Sequence, residues 1–488
     1  MDADRGWCRF DHKKGECMRL SGVFAKIFLP LFFVLLSFGV YFNSLQVYFL
    51  SDDFIWLLEA SKSDYTSLLR HFVDADGFFY RPTTKIYFFL MYQLFGIQYA
   101  WYHFANILLH GVNGLLVYLL IRSLLTKSFG SEKLKYFPLF SSILFVVHSV
   151  NLETVVWVSA VTELIPAFFM LVALNLFVLY LTHWKNVWDG LKKKLFFVLL
   201  SLVYFLAMGG HEFAIVLPLL LIGIDIFYSN IRSWVSLVEY FKQCFARYFV
   251  FIFVAVFYLL IRYVANAHWQ GGDYSYNILK LPLNIVGNLY GYVFFSLIGP
   301  WFYGVYAQSR IWTREYWTHL IVLGAVLLLV LFILRKFTIK LVSRVQDYVY
   351  LLIFIFVVGL LPFLGLGTIA ERYVYFSSWS FYVLFSMGIY FVCKKIFPSQ
   401  KVNREYLGVM LFFGVLFSIL SYLSMGDWFE ASAKVRAIVY GSCLSVDNGD
   451  EVVIPDSTNR IGRAWVFQVG YEQAVNLICV KQIDQLSF

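Results

Sequence analysis

The feature that most limits this chain is a series of long apolar runs, many about 18–25 residues, separated by short polar loops. Hydrocarbon offers no water to a backbone, so every N–H and C=O inside it needs a partner within the protein. Only helix bundles and closed barrels meet that demand. The runs do not alternate polar with apolar residues, so they read as helices rather than barrel strands. The expected class is an all-α polytopic membrane protein. Composition agrees: 60% of the 488 residues are hydrophobic and 14% charged, against about 45–50% and about 25% in soluble proteins.

The expected spans are 22–43, 103–121, 137–150, 161–182, 195–209, 212–228, 248–264, 317–334, 347–366, 378–393 and 406–425, about eleven in all. The polar N-terminal stretch precedes a run too long for the core of a cleavable signal, so the first run reads as a retained span. The net charge of +9 would suit nucleic acid if it formed one patch. Instead the Lys and Arg residues cluster in alternate loops, 122–135, 183–194, 229–247, 335–346 and 394–405. The positive-inside rule makes these loops and the N-terminal tail cytoplasmic, and it excludes a nucleic-acid partner as the reason for the charge. The C-terminus and the loops 44–102, 150–160, 209–213, 265–316 and 367–377 then face outward. "LPLNIVGNLYGYVFFSLI" is long enough to cross, but a crossing there would invert every later basic loop. It is therefore expected as an outer-face helix, as is "TTKIYFFLMYQLFG".

The expected organisation is a cytoplasmic tail over 1–21, a transmembrane domain over 22–425 with large outer loops at 44–102 and 265–316, and a small outer α/β appendage over 426–488. Within the appendage "DWFEASAKVRAIVYGSCL" reads as an amphipathic helix, and "EVVIP" and "AWVFQV" as strands. Cys443 and Cys479 are the cysteines of the outer tail. A disulfide and two separate buried thiols both fit.

Ionisable residues at membrane depth cost roughly 2.5–3.5 kcal/mol each, so their presence is a site hypothesis. On this topology they gather on the outer face. Asp52 and Asp53 follow the first span in "FLSDDFIWLLEA". Arg81 and Lys85 lie in "RPTTK", His103, Asn106 and His110 in "HFANILLHGVN", and His148, Glu153 and Glu163 in "HSVNLETVVWVSAVTELIP". His211 and Glu212 lie in "GGHEFAIVLP", and Glu371, Arg372 and Tyr373 in "GTIAERYVYFSS". Structural roles fit each one singly: Asp52 as a helix N-cap, His103 and His110 as interhelical fasteners, Glu153 as a cap, Arg372 as a snorkelling anchor. No HExxH, CxxC or phosphate-binding glycine loop is present.

"SDDF", "RPTTKIYFFLMYQLFGIQYAWYHFANILLHGVNGLL", "HSVNLETVVWVSAVTELIPAFFMLVALNLF" and "ERYVYFSSWSF" together resemble the C-type (GT-C fold) integral membrane glycosyltransferases. The likeness is to the branch related to protein O-mannosyltransferases and the TPR-containing O-mannosyltransferases, over roughly residues 20–425. It implies a multi-pass hexosyl- or pentosyl-transferase, in the cytoplasmic (inner) membrane if the source is prokaryotic, acting on the extracytoplasmic face. The implied donor is a sugar on undecaprenyl or dolichyl phosphate, and the implied acceptor a hydroxyl of protein, lipid or glycan, with inversion at the anomeric carbon. The family's catalytic acid falls on Asp52 or Asp53, with Asp52 favoured and Asp53 orienting it or holding a divalent metal, should one be needed. Donor phosphate binding falls on Arg372, Tyr373, Arg81 and His211 as imidazolium, with Glu371 orienting Arg372. Glu153, Glu163, Glu212 and His103 would hold or orient sugar and acceptor. The chain departs from the family in lacking TPR repeats. It also has His211-Glu212 where relatives often have Lys-Glu, and Val161-Thr162-Glu163 where they often have Arg-Thr-Asp. The competing classes are a lipid-linked sugar flippase or other transporter, which would show internal repeats and midplane polar residues, and a polysaccharide ligase.

Overall fold

The computed structural model describes residues 8–10, 17–66, 68, 70–73, 75, 79–129, 136–229, 234–267, 276–315, 343–447 and 459–486. The expected span 317–334 and the strand "EVVIP" lie outside these. Sixteen α-helices run through the described residues: α1 Leu20–Tyr41, α2 Asp53–Lys62, α3 Pro82–Phe95, α4 Tyr99–Phe129, α5 Tyr136–Val147, α6 Leu152–Val156, α7 Val161–Leu179, α8 Gly190–Gly210, α9 Leu217–Ser229, α10 Trp234–Val264, α11 Leu281–Ile298, α12 Tyr303–Glu315, α13 Ser343–Leu364, α14 Tyr375–Ile396, α15 Val402–Asp447 and α16 Tyr471–Leu486. The strands are two short antiparallel pairs, β1 Cys8–Phe10 with β2 Cys17–Arg19, and β3 Arg460–Ile461 with β4 Ala464–Trp465.

Among the described residues nine helices are long and apolar enough to cross a membrane, and α5 with the bent segment after it makes a tenth if counted as one span. The chain is a multi-pass membrane protein. Helix α8, expected as a span, falls outside those nine and packs against α7 and α10. Residues Ile278–Ile298, expected at the surface, fall inside them. What orients α11 is a polar stripe at helical spacing. Asn284 Nδ2 donates to the Gly365 carbonyl at 3.3 Å, and Asn288 Nδ2 to that of Leu366 at 2.9 Å. The last carbonyls of a helix have no partner within it, and α13 ends here beside Pro362.

The largest departure from expectation is at the C-terminus. The last span and the amphipathic helix after it are one rod, α15, of 46 residues. At 1.5 Å per residue it is about 69 Å long, more than twice the roughly 30 Å of hydrocarbon. The expected domain boundary at 425/426 lies inside this helix. Its far end carries Cys443, which is disulfide-bonded to Cys479 on α16. The hairpin β3–β4 and α16 therefore return along the rod, and α16 packs on α2, the helix that begins at the acid pair.

Candidate functional site

The two acids divide their labour. Asp53 is buried, and three donors hold it: the Leu50 N–H at 2.8 Å, the Ser159 N–H at 2.7 Å and the Ser159 hydroxyl. It is a bracket between the loop that follows α1 and the turn before α7. Burial pushes its carboxyl up to about 7, against those hydrogen bonds, and neighbouring Asp52 adds to the push. The sign for stability follows. Between 3.8 and about 7 the native state keeps a proton that the unfolded chain has lost, so stability falls as pH rises through that window. Asp53→Asn should flatten this slope, read as the difference in thermal melting between about pH 4.5 and about pH 8. A variant with the wild-type slope would remove Asp53 as its source. Asp52 stands at the N-cap of α2, half-buried, with no capping bond from its side chain; its Oδ1 lies 3.3 Å from the Ser51 hydroxyl.

Residues 149–160 form a chain of short turns between α5 and α7. Irregular backbone at membrane depth needs outside hydrogen-bond partners, and α4 supplies them from a stripe at spacings of three and four. Asn106 Nδ2 donates to the Trp157 carbonyl at 3.3 Å and Asn113 Nδ2 to that of Leu164 at 3.2 Å. His110 bridges the Val146 carbonyl and the Tyr375 hydroxyl. His103, expected to orient a sugar, instead binds the Val47 carbonyl at 2.8 Å. It fastens α4 to the strand-like stretch that leads to the acids.

Arg372 is where the expected pairing changes. Its partner is Glu153: Nη1 donates to Oε1 at 2.5 Å and the Arg372 N–H to Oε2 at 3.2 Å. Glu153, expected to hold or orient the sugar, thus holds the Arg372 guanidinium. The guanidinium lies over the rings of Trp157 and Tyr373, and its Nη2 donates to the Tyr373 hydroxyl at 3.2 Å. Glu371, expected to orient Arg372, binds Arg463 of the C-terminal segment with both oxygens, at 3.0 and 3.1 Å. Trp157 meanwhile donates its indole N–H to the Leu50 carbonyl at 3.3 Å. Segment 153–159 therefore grips Arg372 at one end and Asp53 at the other.

A second cationic group lies at the end of α8. Thr84 at the start of α3 donates to the Gly210 carbonyl at 3.0 Å. Gly209 permits this approach, since a side chain there would press into Thr83 of α3. The docking brings Arg81 to Glu212 at 3.2 Å and to His211 at 3.0 Å. Arg262 of α10 takes the other Glu212 oxygen at 2.6 Å. Glu212 is thus shared by two arginines rather than offered to a sugar. His211 is not the expected imidazolium. Burial, then the nearby charge of Arg81, holds its pKa well below the usual range. Arg81 lies against Nε2, and Nδ1 accepts from the Phe213 N–H at 3.3 Å. Lys85 lies apart, paired with Glu59.

Two buried polar atoms face this charged region without a hydrogen-bond partner, Glu163 Oε1 and the Tyr292 hydroxyl. Glu163 lies 3.6 Å from His211 and within electrostatic range of Arg372 and Arg81. Tyr292 of α11 is in range of Arg372, Glu163 and Glu153. An unsatisfied buried polar group costs about 1–3 kcal/mol, so both are places where ligand hydroxyls would be welcomed. Tyr292, Arg262, Trp157, Ser159 and Arg463 were not singled out from sequence. For Tyr292 a signal existed: Asn284, Asn288 and Tyr292 recur every four residues on one face. As for metal, both oxygens of Asp53 already accept hydrogen bonds. Among the described residues no group of three or more His, Cys, Asp or Glu is placed to hold an ion.

No protein-family model matches the chain, and no curated protein is similar enough to it to count as a relative.

Proposed function

We propose that the protein is a membrane glycosyltransferase that moves a hexose or pentose from a polyprenyl phosphate to an acceptor hydroxyl on the extracytoplasmic face. The observation that carries this reading is the grip of segment 153–159 on Asp53, the buried neighbour of half-exposed Asp52, and on the buried arginine. The resemblance of the same segments to C-type glycosyltransferases supports it. The Cys443–Cys479 bond supports an outward C-terminus, since such bonds persist in oxidising compartments.

In the proposed reaction the acceptor oxygen attacks C1 of the sugar from the face opposite the phosphate. The bond from C1 to the phosphate oxygen breaks, and the configuration inverts. Asp52 takes the hydroxyl proton as the new bond forms. The departing polyprenyl phosphate gains a negative charge, which the Arg372 guanidinium stabilises through parallel N–H donors. Glu153 keeps that guanidinium aimed, Tyr373 supports it, and Arg81 with Arg262 adds fixed positive charge nearby. Glu163 Oε1 and the Tyr292 hydroxyl bind sugar hydroxyls. The lipid tail lies along the aromatic helices in the bilayer.

The test is transfer by the purified protein in liposomes. Radiolabelled polyprenyl-phosphate mannose, glucose and arabinose are supplied in turn, with extract of a strain lacking the protein as acceptor. Label should appear in an acceptor with release of polyprenyl phosphate. Movement of intact donor across the bilayer without transfer would replace this reading with a flippase. Single cysteines at Thr66 and Ser399, both exposed, should react with impermeant thiol reagents from opposite sides.

A further inference from the structure

Ser51, the residue before Asp52, has φ of 45°, in the left-handed region that side chains other than glycine rarely adopt. Such a residue is strained and persists only where its surroundings hold it. Here the hold comes from the far end of the chain. The Ser51 N–H donates to the Val466 carbonyl at 3.1 Å. Its hydroxyl oxygen accepts from the N–H groups of Gln468 at 3.2 Å and Val469 at 3.4 Å. Gly470, with φ of 86°, lies so close that a side chain there would press into the Ser51 carbonyl oxygen.

The same segment reaches the other half of the site. Arg463 binds Glu371, the neighbour of Arg372, and its N–H donates to Asp427 of the α15 rod at 3.1 Å. Beyond it, α16 is bonded to α15 through Cys479 and Cys443. The segment is anchored at both ends and touches the residues flanking both Asp52 and Arg372.

We propose that residues 459–470, fastened by the Cys443–Cys479 bond, are a positioning strap that sets the distance between Asp52 and Arg372 through Ser51 on one side and Glu371 on the other. This rests on the transfer reading above. In an in-line displacement the acceptor hydroxyl and the leaving phosphate stand on opposite sides of C1. Misplacing either by about 1 Å costs on the order of 100-fold in rate. Segment 153–159 ties Asp53 to Arg372, and the strap ties Ser51 to Glu371, so each holds a neighbour or member of both halves. Ser51 held left-handed is the point where the strap turns the base.

Gly470→Ala should lift the strap from Ser51, and Cys443→Ser with Cys479→Ser should free its far end. With the full-length protein in liposomes and whichever of the three labelled donors it accepts, Gly470→Ala should lower kcat about 10-fold or more. Donor KM should stay within about twofold, because the base end moves and the phosphate end does not. In the Asp52→Asn background the same change should lower the residual rate by less than about twofold, because the strap acts through Asp52. Amide exchange at residues 50–56 should rise about 10-fold or more in each variant, and also when the disulfide of the folded wild type is reduced. An unchanged kcat, an equal loss in the Asp52→Asn background, or unchanged exchange would overturn the strap. If the wild type transfers no sugar, the transfer reading falls, and the exchange measurement alone decides whether the strap holds the loop. If Gly470→Ala does not fold, reduction of the native bond supplies the same readouts.

Discussion

Asp52→Asn should lower sugar transfer by about 10²–10⁴-fold, the range typical of a lost general base, and leave melting temperature and donor KM nearly unchanged. Asn is nearly isosteric here, and its amide oxygen can still accept from the Ser51 hydroxyl. Asp52 is half-buried and makes no capping bond to α2, and Asn is itself a good N-cap residue. Asp53→Asn should behave differently. Its carboxylate holds Leu50 and Ser159, so its loss should appear in the pH dependence of stability and only indirectly in rate. The pair of variants separates base from bracket. Full transfer by Asp52→Asn would end its assignment as the base, and a loss confined to Asp53→Asn would exchange the two roles.

The second large effect is at Arg372. Arg372→Ala leaves Glu153 buried without its cation, and breaking such a pair costs about 3–5 kcal/mol. Transfer should fall by about 10²–10³-fold as the charge opposite the leaving phosphate disappears. Both losses are expected of one substitution, so a companion variant is needed. Arg372→Ala combined with Glu153→Gln removes the unpaired charge. It should recover most of the melting temperature and none of the activity. Recovery of activity along with stability would make Arg372 a structural cation. Arg372→Lys should keep the charge but lose the planar fork and the stacking over Trp157 and Tyr373, giving an intermediate rate.

Residue types and local spacing were legible in the sequence because they depend on neighbours along the chain. The apolar runs foretold the helical, multi-pass architecture, and nine described helices meet that description. The acids after the first span, the His211-Glu212 turn and the "ERYVYFSS" turn all stood out as unexpected ionisable groups. His103 and His110 fit the fastening role weighed for them, since polar residues repeating along one helix face imply a neighbour with carbonyls to bind. The end of the last span was not legible, because nothing in local composition stops α15 at the membrane surface. A helix continues through an interface when its polar residues keep good helical propensity.

Partnership was beyond the sequence. Glu371 is adjacent to Arg372, yet the carboxylate that binds the guanidinium is Glu153, 219 positions away. His211 reads as a spare cation, yet burial, with the charge of Arg81 beside the ring, holds its pKa well below the usual range. Asp52 and Asp53 look alike in one dimension. They become different only because Ser159 packs against one of them and the 466–470 turn holds the residue before the other. The sequence by itself determined which side chains this protein has to work with and that they sit at the ends of spanning helices. Tertiary structure alone decided which charges cancel, which are aimed and which acid is left half-exposed. Those outcomes depend on distances of a few ångströms between segments hundreds of residues apart, and in a medium with little water such distances decide electrostatic energy.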